Sequence, residues 1–285
     1  MNIMDKSETL SARSADTGVN GNNRYQKMFQ AHQENGKQVF MPFTVLGWPN
    51  KTQSLAIIET MIASGASALE LGLAFSDPMA DGPIIQQASK TVIDNGFKVD
   101  DALELLQAVR EKTDTLPIGV LVYFNMVLAR GIPEFFKAMK AAGVDGILIA
   151  DLPAELLNEV ALAAQEEEIC LICIVSPLTS PERLAKICTY ASGFLYVVSR
   201  LGITGVEDTP DAQLSQLIKT VRQNTALPML VGFGISTPER AQEMKAFGAD
   251  GVIVGSRIIQ VMDSADSFDA GLKTLSGYLK EMASA

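Results

Sequence analysis

Histidine, cysteine and aromatic side chains are scarce in this chain, and each scarcity removes a class of chemistry. There is one histidine, His32, in 285 residues. A Ser–His–Asp triad needs a histidine beside its nucleophile, and a His-ligated metal needs several. A single His in a segment that reads as a surface helix therefore argues against both. The three cysteines are an odd count without framework spacing, which points to a reducing compartment rather than a disulfide scaffold. Cys170 and Cys173 form a C-x-x-C, a spacing shared by redox and metal sites. They lie in Ile169-Cys-Leu-Ile-Cys-Ile-Val175, which reads better as a buried strand whose positions three apart face opposite ways. No apolar run is long enough to span a bilayer. The first 25 residues carry Asp5, Glu8 and Asp16 and no apolar h-region, which argues against a secretory signal. The same acids disfavour a transit peptide, despite Ser7, Ser11, Arg13 and Ser14, so a cytoplasmic location is expected. No predicted strand ends in lysine, which disfavours Schiff-base chemistry. Neither a P-loop nor a dinucleotide fingerprint occurs, and no metal site is expected. Basic residues are outnumbered 23 to 33, for a net charge of -10. Such a surface repels nucleic acid and anionic lipid in bulk, but a small anionic substrate can still bind where the local field is positive.

What is abundant is short-chain apolar residue. The hydrophobic fraction is 47% and the charged fraction 20%, mostly through Ala, Val, Ile and Leu, the composition of buried parallel strands under packed helices. Residues 1–22 are polar and read as a disordered tail. From residue 23 to 285 the pattern is regular. Apolar runs at 39–46, 68–73, 118–123, 146–151, 169–175, 194–199, 228–232 and 251–254 read as eight strands. Amphipathic stretches alternate with them, for example 54–63, 101–111, 132–142, 154–166, 181–191, 213–222, 238–246 and 268–282, after a first helical segment at 25–33. Three segments share one plan: Ser64-Gly-Ala-Ser-Ala-Leu-Glu-Leu-Gly72, Ala142-Gly-Val-Asp-Gly-Ile-Leu-Ile-Ala150 and Phe247-Gly-Ala-Asp-Gly-Val-Ile-Val-Gly255. In each, a helix ends at a glycine and a strand starts two or three residues later. Eight such units without a change of composition predict a single (β/α)8 barrel, with a doubly wound sheet as the alternative.

In such a barrel the chemistry sits where strands end. Glu70, in Ala68-Leu-Glu-Leu-Gly72, shares a face with two small residues, which places it in the barrel interior. A carboxylate there loses solvation, its pKa rises, and it becomes a general acid or base near neutral pH. The competing reading is a Glu paired with a buried base, but few basic residues lie on the predicted strands. Asp81 follows the same strand, in Ala74-Phe-Ser-Asp-Pro-Met-Ala-Asp-Gly-Pro83, so both carboxylates can reach one pocket. Taken alone, Asp-Gly-Pro is an ordinary turn, and Asp77 before Pro78 reads the same way. Gly202-Ile-Thr-Gly205, Gly232-Phe-Gly-Ile-Ser236 and Gly255-Ser-Arg257 follow strands six, seven and eight. Each is a weak signal, but three in succession at these strand ends suggest a phosphate cradle of backbone N–H groups and a short helix N-terminus.

The run Leu69-Glu-Leu-Gly-Leu-Ala-Phe-Ser-Asp-Pro-Met-Ala-Asp-Gly-Pro-Ile-Ile-Gln86 resembles the signature of tryptophan synthase alpha subunits. The resemblance continues through Pro42-Phe43, Tyr123-Phe-Asn125, Ala150-Asp-Leu-Pro153, Ser199-Arg-Leu-Gly-Ile-Thr-Gly205, Gly232-Phe-Gly-Ile-Ser236 and Val254-Gly-Ser256, from about residue 23 to the C-terminus. It implies a lyase that cleaves indole-3-glycerol phosphate by retro-aldol chemistry into indole and glyceraldehyde 3-phosphate. Glu70 matches the residue that transfers the protons, and Asp81 the one that accepts the indole N–H. Gly205, Phe233, Gly234, Gly255 and Ser256 match phosphate positions. Phe43, Leu121 and Leu148 match the indole pocket, and Tyr123, Tyr196 and Thr204 match pocket and loop positions. The resemblance further implies no cofactor in this chain and an α2β2 tetramer with a beta subunit, which holds pyridoxal phosphate and receives the indole. A free-standing indole-releasing lyase and a non-catalytic phosphate-binding barrel are the alternatives. The family usually has proline where this chain has Ala74, and often Asp or Tyr where it has Trp48. The polar extension has no counterpart in the family.

Overall fold

The computed structural model describes residues 23–198 and 210–285. Eight parallel strands pair in chain order and close on themselves: β1 (Val39–Val45), β2 (Leu69–Gly72), β3 (Ile118–Val122), β4 (Gly146–Ile149), β5 (Cys170–Val175), β6 (Leu195–Val198), β7 (Met229–Gly232) and β8 (Gly251–Val254). This is the (β/α)8 barrel, and the pairing of β8 with β1 excludes an open doubly wound sheet. Most strands are a residue or two shorter than the apolar runs suggested, because those runs include residues that enter and leave the sheet. The predicted tail, residues 1–22, lies outside the described residues.

α1 (Arg24–Glu34) precedes the barrel. The connecting helices are α2 (Lys51–Ala63), α3 (Pro83–Asp94), α4 (Val99–Glu111), α5 (Phe124–Arg130), α6 (Ile132–Ala141), α7 (Leu157–Glu166), α8 (Pro181–Tyr190), α9 (Pro210–Asn224) and α10 (Pro238–Ala246). α11 (Ser256–Asp263) and α12 (Phe268–Ala283) close the chain. Local chemistry sets their starts. Asn50, Ser180, Thr237 and Ser267 each accept a bond from the backbone N–H three residues on, satisfying donors that the first turn leaves open. The predicted helix at 154–166 begins instead as a 3-10 turn, Ala154–Leu156, after Pro153. At the shared glycines the chain takes φ of 96° (Gly65), 83° (Gly143) and 99° (Gly248), which a side chain would oppose. No described helix is long and apolar enough to cross a membrane.

Strand residues alternate between the barrel interior and the helix layer. Leu69 and Leu71 are fully buried toward the helices, and burial of each such side chain stabilises the fold by roughly 2 kcal/mol. Cys170 and Cys173 fall on opposite faces of β5, as a strand requires: Cys170 packs near Gly193 under the barrel, and Cys173 lines a cleft against Ile187 of α8. Burial pushes both thiols up to about 12, which makes them inert packing residues. His32 is not a bare surface residue. Its ring bonds the Met28 carbonyl at 2.8 Å and Ser67 Oγ at 2.9 Å, joining α1 to the start of β2.

Candidate active site

Glu70 is the only acidic side chain fully buried among the described residues. It stands in register between Phe43 of β1 and Gly119 of β3. Glycine at 119 makes the space: a Cβ there would lie 3.1 Å from Glu70 Oε2 and 2.7 Å from the Tyr25 hydroxyl, which reaches up from α1. Neither Glu70 oxygen has a hydrogen-bond partner among the described residues. Desolvation alone pushes its carboxyl up to about 8, so it holds a proton at neutral pH. The expectation from the sequence, an interior carboxyl without a basic partner, matches this environment.

Glu70 lies in the interior and does not line the cavity at the strand ends, whereas Asp81, on the loop after β2, does line it. Its Oδ2 accepts a 2.9 Å bond from the Tyr123 hydroxyl, and that hydroxyl accepts the backbone N–H of Ala80 at 3.0 Å. The Tyr123 ring stacks on Phe75 of the same loop at 4.9 Å. One tyrosine at the end of β3 thus fixes both the carboxylate and the loop that carries it. Burial raises the Asp81 pKa, and the Tyr123 bond opposes the rise by favouring the charged form. Two carboxyls are therefore held in unlike environments, one dry and unpartnered, the other hydrogen-bonded. Tyr196 senses both: burial, then Glu70 and Asp81, push its phenol above the ordinary range.

A cavity of about 260 Å³ opens where the strands end. Phe43, Leu121 and Tyr196 form apolar walls, and Asp81 stands at one edge. Leu148 pairs with Leu121 in register and points inward, but it does not line the cavity. Tyr196 fits only because residue 232 is glycine, where a Cβ would sit 2.0 Å from its hydroxyl. Phe233, Gly234, Gly255 and Ser256 also line the cavity. Phe233 and Gly234 both have positive φ, 68° and 74°. This conformation costs a phenylalanine ~1–3 kcal/mol and persists where the surroundings impose it. Gly255 caps α11 without a side-chain bond, so the first N–H groups of that helix lack a side-chain partner. Left-handed backbone and an uncapped helix start together suit an anion. Thr204 and Gly205 lie outside the described residues.

Sequence reasoning did not single out Tyr25, Ile85, Ser236 or Gln260, and it noted Arg257 only as part of a glycine motif. Ile85, Ser236, Arg257 and Gln260 line the cavity. Gln260 stands one turn beyond Ser256 on α11, so delimiting that short helix would have found it. Nothing local in the sequence announces that Tyr25, 45 positions before Glu70, ends beside it.

Comparisons with known proteins show the family. The family model described as tryptophan synthase alpha chain matches residues 29–285. The tryptophan synthase alpha chain of Pectobacterium atrosepticum is 40% identical over 263 residues, covering 92% of this chain and 98% of that one. The alpha chain of Methanothermobacter thermautotrophicus is 44% identical over 223 residues, covering 78% and 82%. Among solved structures, tryptophan synthase subunit alpha from Legionella pneumophila superposes with a TM-score of 0.84 at 32% identity, covering 92% and 98%. A chain of tryptophan synthase from M. tuberculosis in its aminoacrylate-bound form gives 0.82 at 27%, covering 92% and 98%. On its sequence and its barrel alike, the chain belongs to the tryptophan synthase alpha chain family.

Proposed function

We propose that this chain is a carbon–carbon lyase that cleaves indole-3-glycerol phosphate to indole and glyceraldehyde 3-phosphate in tryptophan biosynthesis. The observation that carries the reading is the fully buried, unpartnered Glu70 carboxyl, in register with the cavity-lining Phe43, together with the hydrogen-bonded Asp81 that lines the cavity. Glu70, protonated below about 8, gives its proton to indole C3 and breaks the ring's aromaticity. The Glu70 carboxylate then takes the proton of the side-chain hydroxyl next to the ring. The carbonyl forms, the C–C bond breaks, its electron pair returns to the ring, and the acid is restored. Asp81 accepts the indole N–H and stabilises the positive charge that protonation creates, in a site dry enough for the interaction to count. Phe43 and Leu121 hold the flat heterocycle, with Leu148 behind them. Gly234, Gly255 and Ser256 hold the phosphate through backbone N–H groups, joined by Phe233 and by Gly205, and Thr204 contributes to the pocket. Tyr123 positions Asp81, and Tyr196 closes the interior wall.

The proton transfers leave the protonated indole ring itself to take up the electron pair of the breaking C–C bond, so this chain's part of the reaction calls for no cofactor. The indole passes to a beta subunit that holds pyridoxal phosphate, in a cytoplasmic α2β2 assembly. The test is indole release from indole-3-glycerol phosphate by the full chain, alone and with a beta subunit. Weak activity alone that rises strongly with the partner is the expected result. Fast activity unaffected by the partner would assign a free-standing lyase, and no activity in either condition would leave a phosphate-binding barrel.

A further inference from the structure

Among the described residues that line the cavity there is one acid and one base. Asp81 is the acid, and Arg257, the second residue of α11, is the only basic side chain among the described residues that line it. We propose that Arg257 is a specificity-determining residue that binds the substrate's phosphate group and so discriminates the phosphorylated substrate from its dephosphorylated form. The inference rests on the reading that the phosphate sits against Gly234, Gly255 and Ser256.

Three observations support it. First, Arg257 is held in place without being neutralised. Its guanidinium carbon stands 5.9 Å from the centre of the Tyr278 ring, and it makes no ion pair among the described residues. An aromatic face holds an arginine through its π electrons while leaving the N–H fork open at its edge. Secondly, the ring is anchored to the cavity. The Tyr278 hydroxyl donates a 3.1 Å bond to the Ser236 carbonyl, and Ser236 lines the cavity after β7. The tyrosine thus joins α12, the loop after β7 and the start of α11, so part of the entropy cost of fixing a long side chain is met before substrate arrives. Thirdly, the charge balance among the described residues favours it. The chain carries a net charge of -10, and Asp81 faces the same cavity. Backbone N–H groups and a helix start supply partial charges only, whereas a phosphate near neutral pH carries nearly two negative charges. Arg257 also lines the outer groove beside Trp48 and Asp263, so it stands at the boundary between site and solvent, where a fixed cation attracts an arriving anion.

The experiment compares the full chain with Arg257→Gln and Arg257→Lys in indole release from indole-3-glycerol phosphate and from indole-3-glycerol. Binding of glycerol 3-phosphate is measured by calorimetry alongside. For Arg257→Gln, KM for the phosphorylated substrate is expected to rise roughly five- to tenfold, with kcat affected less. The preference for phosphorylated over dephosphorylated substrate falls by the same factor, glycerol 3-phosphate binds correspondingly more weakly, and lysine restores part of the loss. An unchanged KM overturns the proposal, and so does an equal loss on both substrates, which would mark a structural role. If the wild-type chain released no indole, the proposed reaction would fall while the calorimetry still decided Arg257: weaker glycerol 3-phosphate binding in the variant sustains the contact, and equal binding removes it.

Discussion

Replacing Glu70 with glutamine should make the protein inactive and, at high pH, more stable. The carboxyl has a folded-state pKa of about 8 against an ordinary value of 4.5, and burial is the cause. Between those values the folded chain keeps a proton that the unfolded chain has released. Unfolding therefore releases a proton, and stability falls as pH rises. The loss begins near 4.5, is complete just above 8, and at ~1.4 kcal/mol per pH unit amounts to about 4–5 kcal/mol. Glutamine has nearly the same shape and cannot ionise, so Glu70→Gln removes this pH dependence. Urea denaturation of wild type and variant at pH 5, 7 and 9 measures it. The two should unfold at similar urea concentrations at pH 5, and the variant should lead by several kcal/mol at pH 9. Indole release should be abolished throughout. A stability difference that did not change with pH would refute the account of Glu70 as a buried, unpartnered acid. Wild-type turnover in the variant would remove it from the mechanism.

Because the reaction starts from protonated Glu70, kcat/KM should fall as pH rises through about 8, a limb that a pH–rate series on the wild type will locate. Asp81→Asn should slow cleavage by roughly 10²–10⁴-fold with the fold intact by circular dichroism, and near-normal turnover would remove its assigned role. Tyr123→Phe removes the bond that favours the charged form of Asp81 against burial. The Asp81 pKa should then rise, and activity should be lost at a higher pH on the acid side than in the wild type; an unmoved acid limb would separate that bond from catalysis. Gly232→Ala places a Cβ 2.0 Å from the Tyr196 hydroxyl. It should cost ~1–3 kcal/mol in thermal unfolding and impair turnover by forcing Tyr196 out of place. Asp145→Ala should cost about 3 kcal/mol because it leaves the largely buried Arg110 uncompensated. Asp250→Ala breaks a more exposed pair and should cost about 1 kcal/mol, with indole release near normal in both.

The barrel was legible because its period is strong: eight apolar runs, each followed by polar-faced helical sequence. Short helices were harder to read. α5 has seven residues and α11 eight, too few for a periodic stripe to stand out. α3 was masked by its own start, because Asp81-Gly-Pro83 reads as a turn and here also caps a helix with Pro83 in the first turn. The interior place of Glu70 was readable because strand alternation fixes its face, and the loop length limits the reach of Asp81. What alternation cannot supply is contact between distant segments. Tyr25 beneath Glu70, Tyr123 on Asp81 and Tyr278 beneath Arg257 join different elements through side chains long enough to cross between them.

The segments that share one sequence plan also share one structural task, which explains why the plan recurs. Asp145, just before β4, accepts the backbone N–H of Ile118 at the start of β3 with a 2.8 Å bond. Asp250, just before β8, does the same for Met229 at the start of β7. Ser67 before β2 accepts the N–H of Phe40 in β1, and Ser192 before β6 that of Leu171 in β5. Each oxygen satisfies a donor at the lower rim, where the sheet begins and a neighbouring carbonyl is out of reach. The two aspartates do more than the serines. Asp145 also binds Arg110 and Arg24, and Arg110 in turn donates to the carbonyls of Gly143, Thr113 and Leu116. Arg222 repeats the arrangement with Asp250 and the carbonyls of Gly248 and Leu227. These bonds belong to the end of the barrel away from the cavity. There they can stiffen the strand starts without restricting the loops at the other rim. A barrel that must hold an unpartnered carboxyl in its interior carries a destabilising group near its centre, and the lower rim is where offsetting interactions can be added without touching the chemistry.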